Sequence, residues 1–391
     1  MPWPFRQKSA VTVSDVIEET SPSPHTRFAF KLFRELSEAA ERPNLFLSPS
    51  SVMLCLALVH ELASGETRQS MAHTLEIAGL DRAKIESEIA LLNAAFRERP
   101  DAAVTCANSL WLGQHVQIAA EIENRLRALY QSEMRAIDFS APETVATINA
   151  WVNTKTRGKI PQIVDQLSPL TALVAMNAVY FKGVWKDPFQ RELTRDGPFH
   201  TASGKKKQLP MMAQSGTYSY YEDRKVQVVT LPYRGGVSMH VVLPVAGSDV
   251  GRVLESLSSG QWESWAAKLR REEGVIKLPR FKVDYAAQLR NALTALGMGR
   301  AFDQNQAEFA QVRTDRPPVW LDKVIHRALA EVNEEGTEAA AATVTHMLCG
   351  SAMPQKPPRL FQMTVDRPFF ILIRDETTKV IQFMGWIGDP Q

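Results

Sequence analysis

The chain has 391 residues, 45% of them apolar and 23% charged, which is ordinary for a globular protein with a large core. Its 45 basic and 43 acidic residues give no electrostatic case for nucleic acid or an anionic membrane surface, and no apolar run reaches transmembrane length. Three scattered cysteines, Cys55, Cys106 and Cys349, argue against a disulfide framework or a zinc site.

Residues 1–24 are polar and proline-punctuated, and are expected to be mobile. They include Arg6 and Lys8 but no apolar stretch of secretory-signal type. No Gly/Ser- or Pro-rich linker interrupts residues 25–391, so a single domain is expected there. Residues 25–40 read as an amphipathic helix with Phe28, Leu32, Leu36 and Ala39 on one stripe. A short strand over 44–47 then runs into Ser48-Pro49-Ser50-Ser51, where Ser48 or Ser50 could cap the next helix. That helix, 52–63, is apolar nearly all round and should be buried. His60-Glu61 opens like a zinc-protease motif, but Ser64 stands where the second ligand belongs. Helices follow at 67–75 and 82–99, the second with mixed charge, so no heparin-type basic stripe is evident. A strand is expected at 102–112, and helices at 119–132 and 144–157, the last ended by Gly158.

Residues 170–185 form the strongest strand pattern, apolar on both faces as in the middle of a covered sheet. Asn177 interrupts it and must find hydrogen bonds. Lys205-Lys206-Lys207 follows Ser203-Gly204 and reads as a hairpin turn; 226–232 and 237–244 form a second hairpin around Arg234-Gly235-Gly236. A helix at 256–271, a strand at 274–284 and a helix at 286–296 come next. The C-terminus is an apolar hairpin, 368–374 with 379–386. Mixed strands and helices without steady alternation indicate an α+β architecture.

Between 324 and 343 the pattern changes character. Val324, His326, Ala328, Ala330 and Val332 share one strand face, and the pattern breaks at Gly336 before four alanines. One reading is a flexible Ala-rich linker. The other keeps a period of two: Thr337, Ala339, Ala341 and Thr343 then make a small, uncharged face, with Glu338 opposite. Such a segment could slide between two strands without needing space for bulk.

Glu334-Glu335-Gly336-Thr337-Glu338-Ala339-Ala340-Ala341-Ala342-Thr343 resembles the hinge of inhibitory serpins almost position by position. The resemblance covers about residues 25–390. It includes residues 44–51, Asn108-Ser109-Leu110-Trp111, 148–153 with Thr156, Gly158, Lys159 and Ile160, and 177–185. Leu278-Pro279-Arg280-Phe281, His326 and Asp366-Arg367-Pro368-Phe369 complete it. It implies three sheets with eight or nine helices and a reactive-centre loop at about 334–365. Further, it implies that Trp185 and Arg280 flank the entry of the inserting loop, with Arg280 opposite Glu334, and that Ser48, Ser51, Asn177 and His326 form a polar cluster where two strands separate. An ordinary surface charge and a satisfied core histidine are the plainer readings of Arg280 and His326.

No Gly-x-Ser-x-Gly, complete His-Glu-x-x-His or phosphate loop is present, so no catalytic residues, metal or cofactor are expected. The resemblance implies a monomeric suicide substrate: a serine protease cleaves the loop, is held as an acyl-enzyme, and is trapped as the hinge inserts, as serpins are known to do. Counting as the family does, the bond is Gly350–Ser351, with cleavage after Cys349, Leu348 or Met347 as alternatives. Without Lys or Arg between Gly336 and Gln355, elastase-, chymotrypsin- or subtilisin-like targets fit better than trypsin-like ones. Cys349 is expected to be exposed beside this bond, whereas Cys55 and Cys106 are expected to be buried. A non-inhibitory carrier or chaperone is the alternative. The family implies the extracellular space; the absence of a recognisable signal leaves a cytoplasmic location open.

Overall fold

Apolar runs that alternate on one face need a second layer, and the computed structural model of this chain supplies it with sheets covered by helices. It describes residues 22–38, 43–99, 101–248, 250–315, 318–337 and 360–390. Among these lie nine α-helices and three sheets of nine, six and two strands. The α+β expectation therefore holds.

The six-stranded sheet organises the molecule. Its order is Phe281–Gln288, Leu321–Asn333, Gly336–Thr337, Leu173–Val184, Ala102–Gly113 and Glu133–Ile137. The Leu173–Val184 strand is buried along its length apart from Lys182. Leu173, Ala175, Val179 and Phe181 enter the main core; Val174, Met176 and Ala178 join Trp111, Ile148, Trp151, Val152 and Ile325 on the other face. Covered on both sides, the strand tolerates apolar residues at every position, which is why it reads as an unbroken run. The helix Pro49–Leu62 is buried at every position but Glu61. Ser48 stands at its N-cap without a side-chain cap bond, while Ser50 Oγ donates to Ile381 O. Neither serine caps it by its side chain. Among the described residues, no helix is long and apolar enough to cross a membrane.

Three expected elements are redrawn. The strand expected at 274–284 is two, Arg270–Pro279 in the nine-stranded sheet and Phe281–Gln288 in the six-stranded one. Buried Ile276 and Leu278 give way to Phe281, Val283 and Tyr285, a slip of one residue that turns the opposite face inward as the chain changes sheet. The helix expected at 256–271 is two, Val250–Ser256 and Ser259–Lys268, because Ser258 caps the second by accepting from Gln261 N. The helix expected at 286–296 begins only at Arg290, continues past Leu293 as a π-helical turn over Thr294–Met298, and is kinked at Gly297, φ +106°. The central strand begins at Leu173, leaving Leu170 77% exposed.

The Phe361–Thr364 strand closes one edge of the nine-stranded sheet, parallel to Arg270–Pro279. Phe361 stacks on Tyr220 with centroids 3.8 Å apart and lies over Gly274. A Cβ at Gly274 would come within 2.3 Å of that ring. Gly274→Val should therefore destabilise the fold by about 1–3 kcal/mol through overpacking. Thermal denaturation checks it, and an unchanged midpoint would contradict the packing described.

Candidate functional site

Leu321–Asn333 runs parallel to Leu173–Val184 through nine partner pairs, from Leu321↔Leu173 to Ala330↔Phe181. Beyond that point the two strands part. Gly336–Thr337 lies in the fork, antiparallel to both: Thr337 opposes Val332 on one side and Gly183 on the other. Two glycines open the space. Gly336 sits at φ +145°, and a Cβ there would stand 2.0 Å from Gly183 O. A Cβ on Gly183 would meet the Phe181 and Tyr233 rings at 2.7 and 2.8 Å. Thr337 is fully buried, its hydroxyl 2.9 Å from Tyr233 Oη. A small side chain with one polar partner is what this position accepts.

The turn before Gly336 is held from the strand beside it. Trp185 N donates to Glu335 O and its indole Nε1 to Asn333 O, each at 2.9 Å. The same indole stacks on Tyr233 at 4.1 Å with an interplanar angle of 9°. Phe189 N donates to Glu334 O, and Arg191 pairs with Glu335. The Glu334 carboxylate is 97% out of solvent by contrast with its half-exposed partner Arg280, whose Nε reaches both its oxygens at 2.8 Å. Burial works to raise the Glu334 pKa, but hydrogen bonds from Arg280 and Thr194 and the Arg280 charge bring it below the ordinary carboxylate value.

Lower in the same seam lies a second polar group. His326 faces Asn177 in register, and both are buried. Ser48 N donates to His326 Nε2 at 3.2 Å, so Nε2 is the acceptor and Nδ1 carries the proton given to Asn177 Oδ1. That oxygen also receives Ser51 Oγ at 2.9 Å, and Asn177 Nδ2 donates to Asn108 Oδ1. Burial lowers the His326 pKa to about 3. Neither imidazole nitrogen faces a hydroxyl: Nε2 accepts from a backbone N–H and Nδ1 meets an amide oxygen. Cys55 is buried, as expected, whereas Cys106 is only partly so; desolvation pushes both thiols up to about 12, with the neighbouring Cys55 adding to it at Cys106.

The structure thus brings Glu334, Gly336, Thr337, Trp185 and Arg280 into one group, and Ser48, Ser51, Asn177 and His326 into another. Glu338, Ala339, Ala340, Ala341, Ala342, Thr343, Cys349, Gly350 and Ser351 lie outside the described residues. Sequence reasoning did not single out Tyr233, Thr194, Phe189 or Gly183. Gly183 carried a usable signal, a lone glycine inside the most apolar strand; the others are joined to the site only by folding.

Three sheets, the six-stranded one holding Gly336–Thr337 in its fork, set the architecture that known proteins can be compared with. A family model described as serpin, serine protease inhibitor, matches residues 23–390. An uncharacterised serpin-like protein of Thermococcus kodakarensis is 33% identical, aligned over 97% of this chain and 89% of its own. The human leukocyte elastase inhibitor is 32% identical over 95% of this chain and all of its own. The native-state crystal structure of the thermophilic serpin tengpin superposes with a TM-score of 0.86 at 23% identity, covering 94% of this chain and 93% of that one. The chain belongs to the serpin family, and its relatives include inhibitors of serine proteases.

Two outcomes follow from this geometry. Arg280→Met leaves the Glu334 carboxylate buried without its main partner, and breaking such a pair costs about 3–5 kcal/mol when it is fully enclosed, less here because Arg280 is half-exposed. The turn at Glu334–Glu335 should loosen, seen as faster hydrogen exchange at residues 333–337; unchanged protection would refute the anchoring role. For His326 the folded pKa lies below the unfolded value of about 6.5, so the unfolded chain binds the extra proton and stability falls as pH drops below that value. One such group contributes a slope of about 1.4 kcal/mol per pH unit. Between pH 6 and 4.5, His326→Gln should lose stability less steeply than the unsubstituted protein by that amount; equal slopes in urea denaturation would contradict it.

Proposed function

We propose that the protein is an inhibitory serpin that traps a serine protease by loop cleavage, acyl-enzyme formation and insertion of residues after Gly336 into the six-stranded sheet. The observation that carries this reading is the Gly336–Thr337 strand, already seated antiparallel between its two neighbours. Continued in the same register, Ala339 would oppose Ala330 and Phe181, Ala341 would oppose Ala328 and Val179, and Thr343 would arrive between His326 and Asn177. The inward face of the entering strand is small where its neighbours are buried. Each inserted residue replaces one seam between strands by two, so the ladder grows by bonds worth roughly 0.5–1.5 kcal/mol each. Burial of the small face adds to this. The native form is then metastable and persists through its barrier.

Cleavage is assigned to Gly350–Ser351, fourteen residues past Gly336, with the bonds after Cys349, Leu348 and Met347 as the next candidates. The loop offers no cation between Gly336 and Gln355, which favours elastase-, chymotrypsin- or subtilisin-like targets over trypsin-like ones. Likeness to an elastase inhibitor supports the same choice. A carrier or chaperone would not require the small, inward Thr337.

Incubation with proteases of these classes should yield an SDS-stable complex with at least one; cleavage without complex across the panel would remove the inhibitory reading. Thr337→Arg should abolish most of that complex while the loop is still cut. Its charge would be buried unpaired at a cost of several kcal/mol, and deacylation would overtake insertion. Undiminished complex would show that seating residue 337 in the fork is not needed for trapping.

A further inference from the structure

Strand pairing in the nine-stranded sheet sets a hydroxyl, an imidazole and a carboxylate in one line. Thr230 on Val226–Pro232 is the register partner of His240 on Val237–Pro244. Directly opposed side chains stand on the same face, and Thr230 Oγ1 lies 3.0 Å from His240 Nδ1. The next strand, Phe369–Asp375, ends just before Glu376, whose Oε1 stands 3.1 Å from His240 Nε2. Burial works to raise the Glu376 pKa, but the hydrogen bond from His240 and the Arg374 charge hold it well below the ordinary carboxylate value. An ionised carboxylate only accepts, so Nε2 carries the ring proton and Nδ1 is left to accept from the Thr230 hydroxyl. Burial lowers the His240 pKa from its ordinary 6.5, so the ring is neutral at pH 7. Trp262 meets the imidazole at 4.8 Å and holds its plane, while Arg374 and Lys379 pair with Glu376.

All three residues line a cavity of about 1240 Å³, bounded by residues 185–193, by these strands and by the end of the helix Ser259–Lys268. Thr230 is half-buried there, whereas His240 is buried. Leu231 and Leu269 supply apolar wall, and Ser238 and Arg271 bring hydrogen-bond donors to the same cavity. Two further cations of the lining, Arg374 and Arg191, are each paired with a carboxylate that also lines it, Glu376 and Glu335. The same order of bonds recurs at Ser23, His25 and Glu88, both distances 2.9 Å, but those residues do not line this cavity. A nucleophile, a neutral base and an acid that orients the base, set beside a concave space, are the parts that acyl transfer requires.

We propose that Thr230, His240 and Glu376 form a second site, apart from the reactive-centre loop, that hydrolyses small uncharged carboxylic esters. Thr230 Oγ1 bonds to the ester carbonyl carbon while its proton passes to His240 Nδ1. Collapse of the adduct breaks the bond to the alcohol oxygen, and the alcohol leaves with that proton. Water then adds to acyl-Thr230, giving a proton to Nδ1; the acid departs and the threonine oxygen takes the proton back. Arg271 and Ser238 are the donors for charge developing on the carbonyl oxygen. Glu376 is a positioning residue, since it acts only by fixing the tautomer of His240. The neutral class of substrate follows from the paired state of Arg374 and Arg191. Turnover is slow, because the nucleophile is a secondary hydroxyl on a stiff β-branched side chain.

The uncleaved protein, with no protease present, should hydrolyse p-nitrophenyl butyrate with saturation. Quenched in acid, it should carry a butyryl group on the peptide that contains Thr230, read by mass spectrometry. Thr230→Val and His240→Gln should each lower kcat about 100-fold, and Thr230→Ser, which keeps a hydroxyl, should retain it. Glu376→Gln offers an amide N–H to Nε2 and so favours the wrong tautomer; kcat should fall with KM unchanged. His25→Gln, which alters the similar triplet outside the cavity, should leave the rate as it is. Should a variant fold poorly, the site of the acyl group on the unsubstituted protein still decides. Hydrolysis undiminished in Thr230→Val, an acyl group found only on another residue, or no saturable hydrolysis at all would overturn the proposal. Because no protease takes part, each of these outcomes stands apart from whether the chain traps one.

Discussion

Everything in this molecule depends on a parallel seam that stops early. Leu173–Val184 and Leu321–Asn333 pair as far as Phe181 and Ala330 and then splay, because the next residues of the second strand turn back through Glu334 and Glu335 and place two residues in the gap. A strand pair open at one end and closed at the other is an unfinished sheet. Gly336 and Thr337 pair with the strands on both sides of the gap, so the fork is the natural starting point for further pairing.

The surroundings of the fork divide the work. Aromatic stacking of Trp185 on Tyr233 gives the gap a rigid wall, and the Arg280–Glu334 pair fixes the turn from outside. Below, the His326–Asn177–Ser51 network fills the closed part of the seam with polar groups that are satisfied by one another. A buried polar network of this kind is favourable when complete and costly when opened. On the outer face, the segment from Thr144 to Thr171 contacts both sides of the same seam.

Much of this was legible in the chain. The unbroken apolar run at 173–184 marks a strand covered twice, and the small period-two face at 324–332 marks a strand with a close neighbour. What could not be read was the change of sheet at Arg280: the apolar alternation slips by one residue there, yet a propensity reading carries straight through. The cap at Ser258 was similarly hidden inside a helical pattern, as short local hydrogen bonds compete with helix propensity without altering periodicity.

The sequence by itself marked where the pattern changes: a glycine followed by small, alternating residues suits either a flexible linker or a segment that fits a narrow slot. It also determined that an unpartnered polar residue, Asn177, lay in the middle of a core strand and needed company. Only the tertiary structure decided who the partners are. Thr337 meets Tyr233, Glu334 meets Thr194 as well as Arg280, and the His326 proton rests on Nδ1 because Ser48 N occupies the other nitrogen. Those pairings join residues separated by tens to hundreds of positions. Local pattern specifies what a residue requires, and the approach of distant chain segments specifies what it finds.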